Sequence, residues 1–197
     1  MLSILVPVRN ESDNLNDIFN YFSKNLNNSK YEVLIINDFS EDDTLDKAKS
    51  LITSFQNFKV LNNKKKGLGG AINLGIKEAS GSSVVIMMAD QSDDINDLIK
   101  YYGLINSENL DAILGSRFIK GSMVSNYPFQ KLILNRIFNI FVSLVFWNTY
   151  NDYTNAFKIY KRETLLKIMP LISESFNIFL EIPLKIISRN YKYKVVP

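Results

Sequence analysis

The chain has 197 residues, 46% of them hydrophobic and 12% aromatic, so it can bury a full core as one large domain. It contains neither Cys nor His, which excludes disulfide scaffolds, thiol nucleophiles, imidazole bases and zinc sites built from those ligands. The net charge of +3 is unevenly spread: residues 1–110 carry 11 Lys and Arg against 15 Asp and Glu, and residues 111–197 carry 12 against 5.

An Ile- and Val-rich run predicts a buried strand at Ser3–Val8, followed by a helical pattern over Ser12–Asn25. The alternation continues with a strand at Glu32–Asn37, a helix over Asp42–Phe55, a strand at Phe58–Asn62 and a helix over Gly70–Ala79. Strands at Ser83–Met88 and Asp111–Gly115 flank a helix at Ile95–Leu104. Ser12-Asp13 and Ser40-Glu41 are the expected N-caps of the first two helices. After Gly115 the pattern changes to a long helix over Pro128–Trp147, a polar turn at Asn148–Asn155 and an apolar run at Ala156–Tyr160. Helices over Arg162–Met169 and Phe176–Ser188 then precede a closing strand at Tyr191–Val196. Strand-helix alternation with short loops predicts an α/β fold with a mainly parallel sheet covered by helices. In such sheets ligands sit beyond the carboxyl ends of the strands, so chemistry is expected in the loops there.

Five such loops carry the candidate residues. Val6-Pro7-Val8-Arg9-Asn10-Glu11 ends a strand on Pro, which frees backbone groups for a ligand or simply makes a turn. In Asn37-Asp38-Phe39-Ser40, Asp38 can accept from a base or ribose, whereas Glu41–Asp43 read better as helix-start carboxylates. Lys64-Lys65-Lys66-Gly67-Leu68-Gly69-Gly70 suits an approaching anion, although no Walker pattern follows. Asp90, Asp93 and Asp94 crowd within five residues of a strand end, which favours a hard cation such as Mg²⁺ or Mn²⁺, although a capped helix start would account for Asp93 and Asp94. Finally, Arg117 after Gly115-Ser116 can clamp a phosphate, and Asp152 lies in the polar turn.

Taken in order, VPVRNE, INDFSEDDT, KKKGLGGAINLGIKEASG, MADQSDD, GSRF, NDYTNAFKIY and FNIFLEIPLK resemble the inverting nucleotide-sugar glycosyltransferases typified by dolichyl-phosphate mannose synthase. The resemblance implies a GT-A type, Rossmann-like fold in one catalytic domain. Residues 1–115 would be its nucleotide-sugar-binding half and 116–197 a helical acceptor-side half, expected to be truncated at its C-terminus. It implies that Pro7, Asn10, Glu11 and Asp38 hold the nucleoside, with Arg9, Lys66 and Gly67 completing the donor site. Asp90 matches the second Asp of the family's metal motif. Met88 stands where the first Asp is usual, and Asp93 is a candidate replacement as metal ligand. Arg117 falls where the family contacts donor or acceptor phosphate, and Asp152 where a carboxylate faces the acceptor; both are expected to be catalytic.

The expected reaction is displacement at the anomeric carbon with inversion, the charge on the departing diphosphate being met by a divalent metal and cations. A sugar hydroxyl acceptor needs a base, for which Asp152 is the candidate. A lipid phosphate needs positioning instead. On the long helix, Lys131, Asn135, Asn139 and Ser143 form one polar stripe with Arg136 beside it, and the other faces are apolar. That pattern suits a helix lying on a membrane with Lys131, Asn135, Arg136 and Arg117 around an acceptor phosphate; burial against the sheet is the competing expectation. A polyprenyl-phosphate acceptor is therefore expected first. A saccharide acceptor or a non-catalytic nucleotide-sugar-binding module are the alternatives. The N-terminus lacks the pattern of a signal peptide and no apolar run is long enough to span a bilayer, so the expected place is the cytoplasm, peripherally on the inner membrane face. Nucleic acid is not expected as a partner, because the basic residues are not interleaved with aromatics along a stripe.

Overall fold

The uninterrupted apolar runs Ile4–Val6 and Val33–Ile36 mean that the first two strands bury both faces and need helices on each side. The computed structural model, which describes residues 1–26, 30–122 and 128–197, has this arrangement. Strands β1 (Leu2–Val8), β2 (Tyr31–Asn37), β3 (Phe58–Asn62), β4 (Ser83–Ile86), β5 (Ala112–Gly115), β6 (Lys158–Lys161) and β7 (Tyr193–Val196) form one sheet in the order β3-β2-β1-β4-β6-β5-β7. Neighbours are parallel except at β6, which runs antiparallel to both β4 and β5. The carboxyl ends of β1, β2, β4 and β5 therefore share one edge of the sheet, where the turn entering β6 also lies.

Helices α1 (Leu15–Asn25), α2 (Thr44–Leu51), α3 (Leu68–Glu78), α4 (Ile95–Ser107), α5 (Phe129–Val145), α6 (Arg162–Ile168) and α7 (Ile178–Ser188) complete the fold. Alternate strand residues feed two cores. Ile4, Val6, Val33 and Ile35 pack with Ile18 and Phe19 of α1 and Leu98 and Ile105 of α4. Leu5, Leu34 and Ile36 pack on the other face with Ile72 and Ile76 of α3, Leu165 of α6 and Ile182 and Ile186 of α7. Truncating any one of these fully buried aliphatics to Ala should cost about 2–5 kcal/mol.

The structure departs from expectation at two places. The strand expected to reach Met88 ends at Ile86, which puts Met87–Asp90 in the loop. Helices α1 and α2 begin at Leu15 and Thr44, and neither Ser12-Asp13 nor Ser40-Glu41 caps them. Their loops serve each other instead: the Glu11 amide donates to Thr44 Oγ1 at 2.8 Å, and the Ser12 amide to Asp42 Oδ2 at 3.2 Å. Asp94, by contrast, caps α4 by accepting from the Asn96 amide at 2.7 Å. Of the two expectations for α5, burial of its apolar faces against the sheet does not hold, since only Asn139 and Val142 of its residues are buried. Its apolar residues face outward, with Leu134 68%, Phe141 63% and Leu144 66% exposed.

Candidate active site

A cleft of about 430 Å³ opens beyond the carboxyl ends of β1, β2 and β4. Pro7 and Val8 line it from the end of β1, Arg9 and Glu11 from the loop after it, Asp38 from the second loop, Gly67 and Leu68 from the third and Met88–Asp90 from the fourth. In an open parallel sheet such a crevice forms outside the carboxyl ends where the strand order reverses, here between β1 and β4.

The Asp38 carboxylate is fixed rather than free to rotate. Its Oδ1 accepts from Asn63 Nδ2 and from the Gly67 amide, each at 2.8 Å, and Asn63 in turn accepts from the Lys65 amide at 3.1 Å. The lysine-glycine stretch is thereby pinned to the second loop. Gly67, at φ +114°, and Gly69 also allow a close backbone approach: a Cβ at these positions would meet Glu174 O at 2.6 Å and Ser173 O at 1.8 Å. The Gly69 amide donates to Glu174 O at 3.0 Å, so residues 173–176 cross the glycine loop and supply Glu174, Ser175 and Phe176 to the cleft wall. Glu181 holds the base of that crossing, accepting from the Ile172 amide at 2.9 Å, the Ser173 amide at 2.8 Å and Lys185 Nζ at 2.7 Å. Burial opposes the Glu181 charge, but these hydrogen bonds from Lys185 and the two amides win and hold its carboxyl down at about 2.

Asp90 is exposed on the cleft. Burial, reinforced by the negative charge of Asp90, pushes the Asp93 carboxyl up to about 6. Asp90 thus brings negative charge to the cleft wall, and Asp93, which does not itself line the cleft, is close enough to feel it. Among the described residues no group of three or more acidic side chains converges as a ready-made cage. Such a donor set fits a hard cation that takes one or two carboxylates and completes its shell with ligand phosphates and water.

A second cluster lies along the same sheet edge, beyond β5. Arg117 Nε and Nη2 donate to Asp152 Oδ2 and Oδ1 at 2.9 and 2.8 Å, and the Arg117 amide donates to Oδ2 at 2.8 Å. Asp152 is wholly buried, whereas the Arg117 side chain retains 26% exposure. Thr154 Oγ1 accepts from Arg117 Nη2 at 3.3 Å and from Asn135 Nδ2 at 2.9 Å. Arg136 lies 4.6 Å and Arg117 5.4 Å from the centroid of the Phe118 ring, so two guanidinium groups share one aromatic side chain. Burial pulls Lys158 down to about 7; it sits below this turn and donates to the carbonyls of Tyr153, Asn155 and Phe179.

Of the expected donor residues, Pro7, Arg9, Glu11, Asp38, Gly67 and Asp90 meet in the cleft. Asn10 instead ties the first two loops, accepting from the Glu41 amide at 2.8 Å while its own amide donates to Ser40 Oγ at 3.0 Å. Lys66 is exposed and does not line the cleft. Asp152 and Arg117 meet each other directly, and Asn135 faces inward to Thr154 while Lys131 is exposed. Sequence reasoning missed the 173–176 wall and Asn63. The close spacing of Gly67 and Gly69 was a signal for the former, because two small residues so placed admit a crossing chain as readily as an anion.

A family model described as "Glycosyl transferase family 2" matches residues 3–169. The chain is 33% identical over 135 residues to a dolichol-phosphate mannosyltransferase of Pyrococcus furiosus, covering 68% of this chain and 38% of that protein. It is 29% identical over 190 residues to a dolichyl-phosphate β-glucosyltransferase of Dictyostelium discoideum, covering 87% and 57%. The chain thus spans about half the length of these relatives or less. Its fold is shared with glucosyl-3-phosphoglycerate synthase of Mycobacterium tuberculosis, solved with Mn²⁺, UDP-glucose and glycerol 3-phosphate: TM-score 0.69 at 14% identity, covering 96% of this chain and 66% of the other.

Proposed function

Because the chain belongs to glycosyl transferase family 2, we propose that it transfers a hexose, with inversion, from a nucleotide diphospho-sugar to a polyprenyl-phosphate-type lipid acceptor. The observation that carries the acceptor is the inverted α5: its outward face is apolar, and its Arg136 stands beside Arg117 over Phe118. Both relatives described above are named for transfer to a dolichol phosphate.

In this reading the nucleoside lies against Asp38, whose Oδ1 is occupied and whose Oδ2 accepts from the base or ribose. Arg9 and Glu11 border the same end of the cleft. Asp90, with Asp93, would hold Mg²⁺ or Mn²⁺ against the diphosphate. A cation there would neutralise charge that builds on the leaving group. Arg117 and Arg136 receive the acceptor phosphate, with Lys131 on the outer approach. An acceptor phosphate oxygen attacks the anomeric carbon, and the bond from that carbon to the diphosphate breaks with its electron pair. Such an acceptor is already ionised near neutral pH, so no general base is required. This agrees with Asp152, both of whose oxygens are bonded to Arg117 and which is 0% exposed. A saccharide hydroxyl would need a base at this position, and Asp152 is poorly placed to be one. The outward face of α5 would rest on the membrane surface that carries the lipid.

Thermal shift with UDP and GDP, with and without Mn²⁺, tests the donor half, since a ligand bound by the native state alone raises its stability. A metal-dependent shift is expected, and Asp90→Asn should abolish it without lowering the unliganded midpoint. Transfer from UDP- or GDP-hexoses to a polyprenyl phosphate in micelles tests the acceptor. Donor binding with transfer only to free saccharides would replace the lipid by a saccharide acceptor, and binding without turnover would make this a nucleotide-sugar-binding module.

A further inference from the structure

A surface helix ordinarily buries apolar side chains and shows polar ones to water. In α5 this is reversed, and the side chain at the centre of its inner face is Asn139, 1% exposed. Burying an amide costs free energy unless its donors and acceptor are all met, so a Leu there would be the simpler way to fasten the helix. The Asn139 bonds show what a Leu could not do. Its Oδ1 accepts from the Tyr153 amide at 2.6 Å, and its Nδ2 donates to Asn135 O at 2.8 Å and Asn135 Oδ1 at 2.5 Å. Asn135, so oriented, turns its own Nδ2 to Thr154 Oγ1.

Tyr153 lies between the two residues that grip Arg117. Asp152 holds Nε and Nη2, and Thr154 accepts from Nη2. Lys158 fixes the same turn from the opposite side through the carbonyls of Tyr153 and Asn155. From these contacts we infer that Asn139 is a positioning residue: it sets the 152–154 turn, and through that turn the direction of the Arg117 guanidinium. The seating of α5 is then linked to the arginine by two side-chain hydrogen bonds, Asn139 to Tyr153 and Asn135 to Thr154. A surface on which α5 rests acts on the acceptor side by the same route. The role in acceptor binding rests on the function proposed above; the link from Asn139 to Arg117 does not.

The full chain, ¹⁵N-labelled, tests the link through the Arg117 Nε–H resonance, assigned by its loss in Arg117→Lys. Held by Asp152, this proton should exchange slowly in the wild type. Asn139→Ala should broaden it or merge it with the freely exchanging arginines. Val142→Ala, which loosens the buried packing of α5 without touching a hydrogen bond, should leave it in place. An unchanged resonance in a folded Asn139→Ala protein, or equal loss in Val142→Ala, overturns the inference. If Asn139→Ala does not fold, Asn135→Ala is the deciding variant: the resonance must shift, and constancy overturns the proposal. In transfer assays Asn139→Ala should raise the acceptor KM by about 10-fold with donor affinity kept, and add less than about 2-fold in an Arg117→Ala background. Absence of transfer in the wild type would remove the acceptor reading, while the resonance still decides the inference.

Discussion

Phe39 has a backbone φ of +56° and a side chain 41% exposed, immediately after the fixed Asp38. A bulky residue in the left-handed region is strained by about 1–2 kcal/mol, of which Gly recovers most at some entropic cost. Phe39→Gly relieves that strain but adds chain entropy and gives up the buried part of the ring, so it is expected to change stability by less than about 1 kcal/mol in chemical denaturation. A larger loss would mean that the ring packs more than its exposure implies. Nearby residues show how far single side chains were legible. Asp38 and Asp90 stand out in the sequence because a carboxylate next to a buried strand needs a reason. Asn63 does not, since its importance is only that its amide reaches Asp38 across 25 positions.

At the scale of elements, the crossing segment 173–176 and α5 behave differently from ordinary connections. The crossing depends on Glu181, whose carboxyl is held at about 2 in the fold against an ordinary value near 4.5. A depressed carboxylate contributes stability above its unfolded value and loses it as pH falls through the folded one. Acid should therefore loosen this segment progressively between about pH 4.5 and 2. Glu181→Gln removes the ion pair with Lys185 and should cost about 1–2 kcal/mol at pH 7, with a smaller penalty at pH 3. Equal penalties at both pH values would deny the carboxylate this role. For α5, the test is Trp147, the sole tryptophan, 94% exposed. Its emission should be red in buffer and shift to the blue with anionic vesicles, and salt should weaken only the electrostatic share of binding. Emission that vesicles leave unmoved would argue for a protein cover on this face. Among the described residues no helix is long and apolar enough to cross a membrane.

Two groups of residues stand out across the whole molecule. The cleft takes Glu11, Asp38 and Asp90 from the acidic first part and Glu174, Ser175 and Phe176 from the second, while Arg117 and Arg136 of the basic second part meet over Phe118. The two groups occupy one sheet edge because β6 runs antiparallel between β4 and β5, leaving β5 parallel to β4. Arg117→Ala should consequently lower transfer by about 10²-fold or more while donor affinity changes less than about 2-fold. Equal losses in binding and turnover would place Arg117 in the donor site.

Strand-helix alternation, the mainly parallel sheet and the loops worth searching were all legible in the sequence by itself. Periodicity reports local burial, and short runs rich in β-branched residues, such as Ile4–Val6 and Val33–Ile36, favour two-sided strands over buried helix. The membership of Pro7, Glu11, Asp38, Gly67 and Asp90 in one cleft followed from their places at strand ends. Contacts between distant segments were decided only by the tertiary structure. The stripe of Lys131, Asn135, Asn139 and Ser143 is visible in the sequence, but a helical pattern does not say which face is turned inward. The polar face of α5 turns in because the 151–155 turn offers backbone and hydroxyl partners that an apolar face could not satisfy. For the same reason Asp152 became the holder of Arg117: its partner lies 35 residues earlier in the chain, and only folding brings them within 3 Å.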